Sequence, residues 1–226
     1  MTTLVSVSTS ADESRDATRS ARRAVAIPAA IFCGGRSTRM GRDKALLSDS
    51  RGATLLARAR RLVEPLASCV VLACGPTPRY EELGLACCRD LREGAGPLGG
   101  LEAVLAELDE PRVLVLACDM PLVGVELLET LVARAQEEDL DVCLLGTPAG
   151  LEPLCAVYSR ACLAPVREAL DAGERRMTSF LGRTVVEPLD GTRRALRVAV
   201  ETCADPEAVR NLNTPSEWER FLRLDR

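Results

Sequence analysis

From residue 29 onward the chain alternates short, wholly apolar runs with longer stretches in which apolar residues recur at three- and four-residue spacing. The runs at 29–33, 69–74, 112–118 and 141–145, with a shorter one at 86–88, are predicted as strands. Polar residues do not alternate within them, which is the pattern of strands covered on both faces. Helices are predicted at 54–64, 98–108 and 125–136, and in the first of these Leu55, Leu56, Ala59, Leu62 and Val63 share one face. After Gly150 the rhythm changes. A strand at 153–159, helices at 160–170 and 174–181, and strands at 184–187 and 196–200 are predicted, followed by a last helix at 215–224 opened by Thr214-Pro215. Strands alternating with amphipathic helices predict an α/β fold of three layers, α/β/α, with a mostly parallel central sheet and ligands at the carboxyl ends of the strands. That edge collects the residues after 33, Cys74-Gly75, Asp90 and Asp119. Residues 1–24 are rich in Ser, Thr, Ala and Arg without periodicity and are expected to be a disordered tail, leaving 25–226 as a single domain. Arg15, Arg19, Arg22 and Arg23 have part of the look of a targeting peptide, but Asp12, Glu13 and Asp16 dilute it, and the tail reads as an untargeted extension.

Composition narrows the partners. A formal charge of −4 and a pI near 5.2 give no electrostatic reason to expect nucleic acid or an anionic membrane, and no apolar run approaches membrane-spanning length. Aromatics are 3% of residues, too few for a base-stacking platform. The ten cysteines have neither the regular spacing of a secreted scaffold nor a C-x-x-C, and there is no histidine to complete a metal site. They read as small buried thiols in a reducing cytoplasm.

The chemistry is concentrated in Cys33-Gly34-Gly35-Arg36-Ser37-Thr38-Arg39-Met40-Gly41-Arg42-Asp43-Lys44, directly after the first strand. Its three glycines let backbone N–H groups approach an anion, while Ser37, Thr38, Arg39 and Lys44 add donors and positive charge, as in a phosphate-binding loop. Lys44 is the only lysine among 29 basic residues, so the position calls for a compact point charge where an exposed cation elsewhere is written Arg. The loop is neither of the two commonest nucleotide motifs: Arg42 and Asp43 separate Gly41 from Lys44, and Gly34 and Gly35 are adjacent. Asp119, directly after an apolar strand, is placed either to hold a hard cation such as Mg2+ or to cap a turn. Gly96-Pro97-Leu98-Gly99-Gly100 opens a helix a few residues after Asp90, and Asn211 and Asn213 are the only asparagines, both in one pentapeptide.

The stretch G-G-x-S-x-R-M-G-x-D-K resembles the signature of the MobA-like nucleotidyltransferases, and with Gly34 and Gly35 paired it is most similar to the molybdenum cofactor guanylyltransferase branch. The resemblance runs from about residue 28 to the end. It implies a Rossmann-like fold with a nucleotide half at about 25–150 and an acceptor half at about 151–226. It further implies that Phe32, Cys33, Gly34, Gly35, Ser37, Lys44, Ala73, Asp90, Gly96, Pro97 and Asp119 bind nucleotide, that Lys44, Arg39 and Asp119 are catalytic, and that Asp119 binds magnesium. Asn211-Leu212-Asn213-Thr214-Pro215 matches the family's N-x-N-T-P motif, and Glu152-Pro153-Leu154, Ala156-Val157-Tyr158 and Gly173-Glu174-Arg175-Arg176 resemble its substrate half. Arg175, Arg176, Asn211 and Asn213 are thereby candidates for the acceptor. Phe32-Cys33 stand where the family usually has Leu-Ala, and Ala73 where some members have asparagine.

The expectation is a cytoplasmic, Mg-dependent enzyme that joins GMP from GTP to the phosphate of molybdopterin, metal-free or as Mo-molybdopterin, with transient contacts to cofactor-biosynthesis proteins or molybdoenzymes. Cytidylyl transfer, transfer to a sugar phosphate, and non-catalytic nucleotide binding are the alternatives. Cytosine-using members carry Ala-Gly at Gly34-Gly35, so a methyl group at Gly34 is expected to lie where the base approaches.

Overall fold

A computed structural model describes residues 25–34, 43–187 and 191–225. The expected tail at 1–24 therefore lies outside the described residues. The core is a seven-stranded sheet in the order β3-β2-β1-β4-β6-β5-β9, formed by β1 (Ile27–Phe32), β2 (Ala67–Ala73), β3 (Ala86–Cys88), β4 (Arg112–Ala117), β5 (Val142–Thr147), β6 (Gly150–Ser159) and β9 (Val198–Thr202). All neighbours pair in parallel except β6, which is antiparallel to both β4 and β5. Because β6 runs the opposite way, its first residues lie at the edge where β1, β2 and β4 end. This is the mostly parallel three-layer α/β/α sheet that the sequence predicts.

The strand sequences explain the layers. Along β1, Ala29 and Ile31 enter one apolar cluster and Ala30 and Phe32 the other; along β4, Leu114 and Leu116 oppose Val113 and Val115 in the same way. Helices α1 (Leu55–Val63) and α3 (Val125–Glu137) cover the first face through Leu56, Ala59, Val63, Leu128, Leu131, Val132 and Ala135. Helices α2 (Gly96–Glu107) and α4 (Leu163–Asp171) cover the second through Leu98, Leu101, Val104, Val166, Ala169 and Leu170. A third, smaller cluster of Leu55, Leu212 and Phe221 seats the last helix, α5 (Pro215–Leu224), against α1. Strands β7 (Thr184–Val186) and β8 (Arg193–Ala195) form a separate antiparallel ribbon.

Two expectations are corrected. Residues 174–181 are not a helix but successive turns, with Ser179 N–H donating to Arg176 C=O and Leu181 N–H to Thr178 C=O; Met177 and Phe180 are drawn into the second cluster. The strand expected at 196–200 is divided: β8 ends at Ala195, β9 begins at Val198, and the Arg197 N–H between them goes to the buried carboxylate of Asp141 at 2.7 Å. The Asp141 carboxylate, buried and also paired with Arg194, competes there with strand pairing for the N–H, because a buried charge needs its donors.

Candidate active site

The carboxyl ends of β1, β2 and β4 are tied together by backbone hydrogen bonds. Cys33 N–H and Gly34 N–H both donate to Ala73 C=O at 3.1 Å, and Cys118 N–H donates to Phe32 C=O at 3.0 Å. The chain must turn away here against its neighbours, and Gly34 shows how little room is left. A Cβ built on it would stand 3.0 Å from the carbonyl carbon of Cys74 and 3.1 Å from Gly75 N. The expectation that a methyl at Gly34 meets the nucleobase is thereby corrected: it meets the backbone at the end of β2. Phe32 is 8% exposed, with its ring against Gly100 of α2, so its side chain belongs to the core. Cys33 and Ala73 are buried beside it. Gly35, Ser37 and Arg39 lie outside the described residues.

Beyond the glycine loop, the Asp43 carboxylate accepts the Ala45 N–H at 3.2 Å and so caps a short 3-10 turn, Lys44–Leu46. This turn presents Lys44. Its Nζ lies 3.2 Å from Asp119 Oδ2 and 2.6 Å from Asn213 Oδ1, joining residues from three distant segments. The backbone fixes the other two members. Leu212 N–H donates to Asp119 C=O at 2.9 Å, and the Glu217 carboxylate accepts the N–H groups of Asn213 and Thr214 at 2.7 and 2.8 Å while Thr214 Oγ1 takes the Glu217 N–H. That reciprocal cap starts α5, is worth about 1 kcal/mol, and leaves the Asn213 side chain for Lys44. The same backbone donors hold the Glu217 carboxyl below its ordinary range.

Asp119 does not act as a turn cap, since its carboxylate accepts no backbone N–H among the described residues. Oδ2 faces Lys44, and Oδ1 has no hydrogen bond among them. The side chain is 20% exposed. One half-open carboxylate suits magnesium, which usually keeps several waters and takes one or two carboxylates together with substrate phosphates. No group of three or more metal-binding side chains occurs among the described residues, so a self-contained protein site is absent there. Asn211, the other asparagine, turns to Glu152 at the start of β6, with Nδ2 to Oε2 at 3.3 Å. Burial pushes the Glu152 carboxyl up, the Asn211 hydrogen bond opposes this, and the nearby charge of Asp119 adds to the rise.

On the other side of β1, Asp90 N–H donates to Gly75 C=O at 3.1 Å, and burial raises the Asp90 carboxyl above its usual range. Gly96 adopts φ +65 as it enters α2, Pro97 occupies the first turn, and no side chain caps this N-terminus. Its first N–H groups are thus open to an anion at the strand ends. Arg175 is committed elsewhere: its Nη1 donates to Leu170 C=O at 3.0 Å and to Glu174 C=O at 2.9 Å, closing the C-terminus of α4. Arg176 is exposed next to it.

One part of the site is not marked by any motif. Tyr80 OH donates to Asp43, 3.0 Å from Oδ1 and 2.8 Å from Oδ2, and Arg79 Nη2 pairs with Oδ2 of the same carboxylate. Tyr80 is held at φ +65, a left-handed conformation costing a non-glycine residue about 1–2 kcal/mol. The only signal in the sequence is one of two tyrosines standing at the end of a Gly- and Pro-rich turn.

All ten cysteines are free thiols; the Cys33 and Cys74 sulfurs lie 3.5 Å apart, joined by a hydrogen bond and not by a disulfide. A hydrogen bond from Cys33 pulls the Cys74 thiol down, while that bond and burial push Cys33 up. Thiol titration after denaturation without reductant should return the full set of ten, and metal analysis should find no stoichiometric zinc. Fewer thiols, or one zinc per chain, would contradict this arrangement.

The sequence profile of the MobA-like NTP transferase domain matches residues 29–189. A probable molybdenum cofactor guanylyltransferase of Pelotomaculum thermopropionicum is 36% identical over 188 residues, covering 83% of this chain and 87% of the relative. The molybdenum cofactor guanylyltransferase of Ectopseudomonas mendocina is 34% identical over 188 residues, covering 82% and 86%. Among solved structures, molybdopterin-guanine dinucleotide biosynthesis protein A of Archaeoglobus fulgidus superposes with a TM-score of 0.72 over 88% of this chain and 98% of the other, at 23% identity, a likeness that bears on the fold.

Proposed function

The chain belongs to the MobA-like NTP transferase family, and we propose that within it the protein transfers GMP from GTP to the phosphate of molybdopterin and releases pyrophosphate. The observation that carries this reading is the junction of Lys44 with Asp119 and Asn213, one residue from each of three motifs, at the edge where the phosphate loop leaves β1. An oxygen of the acceptor phosphate attacks the α-phosphorus, the α–β bridging bond breaks, and the electron pair leaves with pyrophosphate. A phosphate monoester has a second pKa near about 6 and is largely ionised at neutral pH, so the nucleophile needs no general base. A chain without histidine is suited to this chemistry.

The protein's task is then alignment and charge neutralisation. In this reading Gly35 and Ser37 offer donors to the triphosphate, Gly34, whose N–H stays on Ala73 C=O, lets the loop pass close to the end of β2, and Lys44 and Arg39 stabilise charge as the α–β bond breaks. Asp90 and the opening turn of α2 at Gly96-Pro97 border the nucleoside. Asp119 holds Mg2+, which when bound neutralises phosphate oxygens. Asn211, Asn213 and Arg176 face the pterin phosphate, and Arg175 supports that side by holding the end of α4. We place the enzyme in the cytoplasm, in transient contact with the proteins that make or receive the cofactor; no helix among the described residues is long and apolar enough to cross a membrane.

Competition between GTP and CTP with molybdopterin as acceptor tests the reading. The wild-type protein should prefer GTP, and GTP with magnesium should protect it from thermal unfolding more than CTP does. Equal or better use of CTP would move the assignment to cytidylyl transfer. Because the Cβ of an alanine at Gly34 would press on Cys74 and Gly75, Gly34→Ala should impair both triphosphates alike.

A further inference from the structure

We propose that Tyr80 is a positioning residue for this reaction: its hydroxyl, together with the Arg79 guanidinium, fixes the Asp43 carboxylate, and Asp43 fixes the turn that presents Lys44. The inference rests on the activity proposed above. Three donors from two segments converge on one carboxylate: Tyr80 OH and Arg79 Nη2 from the turn after β2, and Ala45 N–H from the lysine turn itself. Burial, reinforced by Asp43, holds the Tyr80 phenol well above its ordinary pKa, so it stays protonated and remains a donor. The ring is 6% exposed and packed in the first apolar cluster, which leaves the hydroxyl little freedom to choose another acceptor. Arg79 lies over that ring, 4.9 Å from its centre, so both donors move as one unit. Cys74 Sγ, 3.7 Å from Arg79 C=O, ties the turn back to the end of β2.

The arrangement answers an electrostatic problem. Asp43 is adjacent to the only lysine of a site that must receive a triphosphate. A free carboxylate there would compete with substrate for the Lys44 ammonium and would repel phosphate oxygens. Turned toward Tyr80 and neutralised by Arg79, it does neither, and Lys44 reaches Asp119 and Asn213 instead. Tyr80 acts through Asp43 and need not touch substrate.

Tyr80→Phe removes only the hydroxyl and keeps the packed ring. It should lower kcat about tenfold with little change in KM for GTP, because a displaced ammonium costs most where charge develops. In an Asp43→Ala background the same substitution should cost nothing further, since the group it acts through is gone. Amide hydrogen exchange supplies a readout independent of the acceptor. In Tyr80→Phe the N–H groups of Ala45, Leu46 and Leu47, which bond within this turn, should exchange several-fold faster, while those of β1 stay unchanged. Unchanged exchange over these three amides overturns the proposal whatever the activity. Losses in kcat that add to those of Asp43→Ala overturn it as well. A wild-type protein that transfers no GMP refutes the assigned activity alone, and the exchange measurement still decides the clamp.

Discussion

Lys44→Ala is expected to lower kcat by about 10²–10³-fold, the range seen when one preorganised donor to developing charge is removed. The fold should survive. The Lys44 side chain sits at the open edge of the sheet, where water can replace the ammonium at Asp119 and Asn213, and no core packing is lost with it. Lys44→Arg should restore only part of the rate. One ammonium meets Asp119 Oδ2 and Asn213 Oδ1 at 3.2 and 2.6 Å, whereas a planar guanidinium brings a longer reach and fixed donor directions. The measurement is steady-state transfer together with thermal melting. A folded Lys44→Ala variant turning over near the wild-type rate would remove the lysine from the mechanism.

Asp119→Asn is expected to reduce kcat by a similar factor, about 10²–10³-fold, with a changed response to magnesium. The side chain keeps its shape, and the backbone carbonyl keeps its bond from Leu212 N–H at 2.9 Å, so the pentapeptide that carries Asn213 stays in place. What disappears is the charge that faces Lys44 with one oxygen and, in the proposed function, would offer the other to magnesium. Nucleotide binding in metal-free buffer should therefore change less than turnover. Since the two side chains touch, the Lys44→Ala, Asp119→Asn double variant should lose less than the product of the single losses. Magnesium titrations that superimpose for variant and wild type would reduce Asp119 to a partner of Lys44.

Local patterns carried the sheet and helices into the sequence reading. Doubly covered strands are continuous apolar runs, and β1 and β4 could be read as such. The direction of β6 could not, because an apolar run carries no sign of parallel or antiparallel pairing. The turns at 174–181 imitate a helix through the spacing of Met177, Phe180 and Leu181; burial of two of these anchors satisfied the spacing without helical hydrogen bonds. In the site, Lys44, Asp119 and Asn213 each stood in a recognisable motif. Their meeting was not legible, since they are separated by 75 and 169 positions and no periodicity spans such distances. Tyr80 is illegible for the opposite reason. Its role is written in a backbone angle and a hydroxyl direction, neither of which a residue type reveals. Glu152 stands in a segment that resembles the family's substrate half, but only the fold brings it to Asn211.

The last helix is fastened to the segment after the phosphate loop at both ends: Asn213 meets Lys44 before it begins, and at its end Asp225 receives Ser50 Oγ at 2.7 Å and Arg58 Nη1 at 2.9 Å. This gives the polypeptide a chronology. During synthesis β1, β2 and β4 can emerge and pair while residues 211–225 are still unmade, so the chain owns its glycine loop and its lysine long before it owns the lysine's finished surroundings. Contacts 169 and 175 positions apart carry a heavy loop-closure cost and are expected to form late. The nascent protein thus acquires its architecture first and the surroundings of Lys44 last, and a chain that stops before residue 211 holds every strand of the seven-stranded sheet without Asn213.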